Sequence, residues 1–92
     1  MTAPSDPIFT LPRGVRLKWD AVRACHVLLG PERALMLDDI GHAIMTELDG
    51  ASRVSDIAAR LAARFSAPVD VVQPDVADFL AGLHAKRLLE AR

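Results

Sequence analysis

From Gly14 the chain alternates with period two: Val15, Leu17 and Trp19 fall on one face of an extended segment, and Arg16, Lys18 and Asp20 on the other. This predicts a half-buried first strand. A turn near residues 20–22 leads into RACHVLLG, Arg23 to Gly30, whose mostly apolar run suits the middle strand of a small sheet. Gly30 and Pro31 break the run. A third strand, Arg33 to Leu37, follows after so short a connection that an antiparallel meander is the natural topology.

Beyond Leu37 the period lengthens to that of a helix. Asp38 is placed to cap a first helix, with Ile40, Ile44 and Leu48 at helical spacing and Gly50 as its stop. A second helix reads from about Val54 to Phe65, with Val54, Ile57, Ala58, Leu61 and Phe65 on one stripe. The last runs from Asp70 or Gln73 to Lys86 and aligns Val72, Val76, Phe79, Leu80 and Leu83. In it Asp70 and Gln73 would form a capping box, with Pro74 in the opening turn. A three-stranded antiparallel sheet followed by three helices is the outline of an α+β, winged helix-turn-helix-like domain over residues 13–92. Residues 1–12, with prolines at 4, 7 and 12, read as an extended or disordered arm. Its Ile8, Phe9 and Leu11 are apolar enough to lie on a neighbouring surface, a second copy included.

A meander leaves its first and third strands at the edges. Strand one carries Arg16, Lys18 and Asp20, charges that keep an exposed edge from recruiting another chain. Strand three has only Arg33, followed by Ala34, Leu35, Met36 and Leu37. Such an edge is covered within the fold, closed by a second copy of the chain in a homodimer, or receives a strand from another molecule.

Composition narrows the function. Ninety-two residues allow one domain with a marginal core. A formal charge of −1 supplies no field for nucleic acid, and no apolar run is long enough to span a bilayer, so neither nucleic acid nor membrane is an expected partner. The lone Cys25 and the absence of a secretory signal at the start point to the cytoplasm. Cys25 and His26, adjacent in a strand, point to opposite faces, while His42 and His84 belong to other elements. With no metal-ligand spacing such as CxxC or HxxxH, neither catalytic residue, metal nor cofactor is expected. The alternative to a peptide-binding module is a winged-helix DNA-binding regulator. Against it, Asp75 and Asp78 occupy the first half of the third helix, where a recognition helix meets DNA, and Arg60, Arg64, Lys86 and Arg87 read as a solvated face.

RGVRLKWD (Arg13 to Asp20), VLLGPER (Val27 to Arg33), LDD (Leu37 to Asp39), the pair Asp49–Gly50, VSDIAARL (Val54 to Leu61) and DVADFLAGLHAKRLL (Asp75 to Leu89) together resemble the PqqD family. The likeness covers nearly the whole chain after the arm and rests on the order and spacing of these segments. It implies a peptide chaperone of pyrroloquinoline quinone (PQQ) biosynthesis. Such a chaperone binds the ribosomally made precursor peptide and presents it to a radical S-adenosylmethionine (SAM) enzyme. In related recognition domains the guest adds as a strand to strand three, beside helix three. That implication falls on Arg33, Ala34, Leu35, Met36 and Leu37, and on Asp75, Val76, Phe79, Leu83 and Lys86. Arg60 and Arg64 are candidates for the enzyme-facing surface.

Overall fold

The computed structural model describes residues 6–91; Met1–Ser5 of the proline-rich arm and Arg92 lie outside the described residues. Element order is β1 (Phe9–Thr10), β2 (Arg16–Asp20), β3 (Cys25–Leu29), β4 (Ala34–Leu37), α1 (Asp39–Thr46), α2 (Val54–Arg64), α3 (Val69–Ala85) and β5 (Glu90–Ala91). β2, β3 and β4 form the expected antiparallel meander, in that order. β1 and β5 pair separately, Phe9 opposite Ala91 and Thr10 opposite Glu90.

The period-two pattern assigns the faces. Leu17, Leu28 and Leu35 lie side by side across the three strands and, with Leu37, turn toward the helices, where Leu28 is completely buried. Ile44, Ile57, Leu61, Val76, Leu80 and Leu83 close on them from α1, α2 and α3. The opposite face aligns Lys18, Val27 and Met36. Beneath one end of the sheet the rings of His26 and His42 stack at 3.6 Å, and Trp19 meets His26 edge-on at 4.9 Å. The sequence had treated these histidines as unrelated.

Four local expectations are corrected. α1 stops at Thr46 with Glu47 as its cap, so Gly50 is not the stop and Leu48 lies outside the helix. The helix closes through the Glu47 and Leu48 amides on the Ile44 and Met45 carbonyls, and Gly50, at φ 79°, lies instead inside the next turn, where the Asp49 carboxylate accepts the amides of Ala51 and Ser52. Phe65 is the cap of α2 rather than part of its buried stripe, and is exposed. α3 starts at Val69, where the carbonyl of Pro68 accepts the amides of Val71 and Val72, and no side-chain capping bond forms. Pro74 therefore lies in the second turn, where it withholds the amide that would close on Asp70. Both residues are exposed, so water can serve that carbonyl.

The described part of the arm is tied down. Pro7 accepts the amide of Val54, Ile8 bridges to Arg53, and the Asp6 carboxylate accepts the Ser55 amide at 2.8 Å, serving an amide at the start of α2. Phe9 is only 5% exposed and belongs to the main core. Phe9→Ala should cost about 3–5 kcal/mol, a large share of the roughly 5–15 kcal/mol available to such a domain. The expected result is a large drop in calorimetric melting temperature.

Local donors favour the charged form of three carboxylates. Bonds from the Ala51 and Ser52 amides and the Ser52 hydroxyl lower the Asp49 pKa from 3.8 to about 2. The Ser55 hydroxyl and amide lower Asp6, and the Arg23 amide and guanidinium lower Asp20. Groups depressed in the folded state stabilise it above their unfolded pKa, and that contribution fades as pH falls from about 4 toward 2. Denaturant midpoints should decline across that window, and less steeply in Asp49→Asn and Asp6→Asn.

Candidate functional site

The β3–β4 hairpin decides which backbone groups are free to bind. The Gly30 amide bonds the Arg33 carbonyl at 2.8 Å, making Gly30 and Arg33 a hydrogen-bonded pair. In an antiparallel ladder such pairs alternate with non-bonded ones. Leu28–Leu35 and His26–Leu37 are thus bonded pairs, while Leu29–Ala34 and Val27–Met36 are not. The amides and carbonyls of Leu35 and Leu37 turn toward β3, and those of Ala34 and Met36 turn outward. Among the described residues no strand pairs with that outer side. Ala34 is exposed, and Met36 is 64% exposed.

α3 comes close to the end of this edge, at the β4–α1 junction. A Cβ on Gly41 would sit 3.1 Å from the Phe79 ring, so Phe79 packs against the start of α1, where β4 ends. At about 100° per residue, Lys86 and Asp75 lie within about 40° of Phe79 on one side, while Val76 and Leu83 lie about 40–60° away on the other. The structure agrees with this division. Asp75 and Lys86 are exposed, Phe79 and Val72 are half-buried, and Val76 and Leu83 are core residues beneath them.

The ten residues singled out from sequence therefore separate into three groups. Ala34 and Met36 offer outward backbone, with Arg33 at the start of the edge. Leu35 and Leu37 face inward. On α3, Asp75, Phe79 and Lys86 lie on the margin toward the β4–α1 junction, while Val76 and Leu83 form a floor rather than a contact surface. Sequence reasoning missed a hollow of about 340 Å³ among α1, α2 and α3, whose lining includes Ile40, Phe65, Val71, Val72 and Asp75. Ile40 is 58% exposed, although its helical spacing assigned it to the core. Its place in the first turn of α1 was the available signal, because there it projects past the sheet.

The basic residues of α2 have a structural use. Arg60 binds the Glu47 carboxylate at 2.7 Å and also the Ser52 hydroxyl, while Arg64 approaches Glu47 at 3.9 Å. These contacts fasten α2 to the segment after α1 and partly neutralise the patch that a DNA-binding reading would use. Among the described residues no helix is long and apolar enough to cross a membrane.

The sequence and its fold have counterparts in known proteins. The chain is 47% identical over 83 residues to the PqqA binding protein of Rhizobium meliloti, covering 90% of this chain and 85% of that one. It is 48% identical over 80 residues to the bifunctional coenzyme PQQ synthesis protein C/D of Methylorubrum extorquens, covering 87% of this chain but only 22% of that longer protein. Among solved structures it is similar to the PqqD truncation of Methylobacterium extorquens PqqCD. That truncation is described as a functional, stand-alone recognition element for ribosomally synthesized and post-translationally modified peptides. The TM-score is 0.80 and the identity 44%, over 98% of this chain and 95% of that one. Residues 25–89 match the family profile for coenzyme PQQ synthesis protein D, and the chain belongs to the PqqD family.

Proposed function

We propose that this protein is a non-catalytic peptide chaperone that takes the PQQ precursor peptide, PqqA, as a fourth strand on β4 and presents it to a radical SAM enzyme. The carrying observation is the outward backbone of Ala34 and Met36, an uncharged edge with no strand beside it among the described residues. Relatives named as PqqA binding proteins supply the class of guest.

Energetics divide the work between sheet and helix. Two outward residues offer up to four backbone bonds, worth together about 2–6 kcal/mol at roughly 0.5–1.5 each. Association costs an estimated 4–15 kcal/mol, so the ladder sets register without securing the complex. Guest side chains on the same face as Leu35 and Leu37 meet the α3 margin, and each one buried there adds about 1.5–3 kcal/mol. Affinity and selectivity thus reside in the groove formed by Val72, Asp75, Phe79 and Ile40. Holding the peptide on a domain that also docks on the enzyme makes the second encounter nearly intramolecular.

Proline substitutions separate binding from folding. The Met36 amide points away from β3, so Met36→Pro should fold by circular dichroism yet bind a synthetic PqqA peptide at least tenfold more weakly in titration calorimetry. Met36→Ala should bind nearly as the parent does. Leu35→Pro tests the fold instead, since it removes an amide from the β3–β4 ladder. If a folded Met36→Pro protein binds with parental affinity, strand addition at β4 is wrong. Ile40→Asp should also fold, because an acidic residue suits the first turn of a helix, and it should weaken the peptide about fivefold by charging an apolar wall.

A further inference from the structure

At the Arg33 end of the groove lies a recess of about 290 Å³ between residues 30–33 of the hairpin turn and residues 86–88 after α3. It collects three cations, Arg33, Lys86 and Arg87, and one carboxylate, Glu32, in a chain whose formal charge is only −1. Arg23, Arg60 and Arg64 each have a carboxylate partner, but among the described residues Arg33, Lys86 and Arg87 have none. The two walls are held close together. A Cβ on Gly30 would come within 2.8 Å of a Leu88 methyl carbon, so the hairpin turn rests directly on the segment that follows Arg87.

Arg87 occupies its place at a conformational cost. Its φ is 62°, in the left-handed region where a chain leaving a helix ordinarily uses glycine. Ser66 does the same after α2, so the backbone alone marks no site. At Arg87, however, a strained backbone holds a cation without an ion-pair partner beside two others, at the end of the groove opposite the apolar hollow. Lys86 lies on the α3 margin that includes Phe79.

We infer that this recess is a subsite for a carboxylate side chain of the guest peptide. Resting on the strand-addition reading, it adds polarity to the groove. An acidic residue of the guest sits at the Arg33 end and apolar side chains sit toward Ile40, so the two ends set the guest's direction as well as its register. Rim charges of this kind act chiefly through complementarity and weaken with salt.

The test is a charge scan by titration calorimetry on the full chain. A synthetic PqqA peptide is compared with variants in which each Asp or Glu is changed singly to Asn or Gln. At about 50 mM salt one acidic position should lose about fivefold in affinity for the parent protein, and less at about 300 mM. The same peptide change should have no effect on a Lys86→Gln, Arg87→Gly protein, the coupling expected of a direct pair. Arg87→Gly alone should hold or raise the melting temperature, because glycine adopts a φ of 62° freely, so its weaker binding cannot be attributed to unfolding. If the parent binds the peptide but the scan is flat, or the double variant responds as the parent does, the carboxylate subsite is wrong and strand addition stands. If the parent does not bind the peptide, both readings fall.

Discussion

The bond from the Gly30 amide to the Arg33 carbonyl closes a two-residue turn and thereby sets the parity of the β3–β4 ladder. Everything offered at the edge follows from that parity. Ala34 and Met36 turn their peptide groups outward, while Leu35 and Leu37 send their side chains into the core and their peptide groups to β3. A slip of one residue would exchange these roles, exposing two leucines and burying the outward groups. The same turn and the segment after α3 line one recess, which places Arg33, Lys86 and Arg87 on its walls.

A second constraint acts on the described residues near the two ends of the chain. In a chain this short, the termini are natural candidates to cover an open strand. Here the described arm instead follows the start of α2, and β1 pairs with β5 beyond α3. Phe9 fixes this arrangement by entering the core, which it shares with Leu88 and Leu89. The closure adds apolar burial to a small domain and pairs the described residues 8–10 with residues 53 and 90–91 rather than with β4.

Local periodicity made much of this legible before any coordinates. Period two assigned the faces of β2, and the meander followed from the short connection at Gly30 and Pro31. Asp38 was readable as a cap, and its carboxylate does accept the Gly41 amide at 2.7 Å. The contrast between a charged first edge and an uncharged third edge was also present in the residues. Errors gathered at helix ends, where one or two side-chain bonds decide the outcome. α1 closed at Glu47, three residues before the stop expected at Gly50, and Phe65 and Ile40 lay at the ends of stripes that run off the core.

Side-chain period and edge charge are properties of neighbouring residues, so the amino-acid order alone established the strands, the helices and the one edge without protective charge. Tertiary packing alone decided which margin of α3 lies toward the β4–α1 junction, that Val76 and Leu83 are buried in the core, and that Arg33, Lys86 and Arg87 share a recess. It also decided that residues some eighty positions apart close β1 on β5. These outcomes depend on the rotation of one packed element against another, and that rotation is set by the whole core at once.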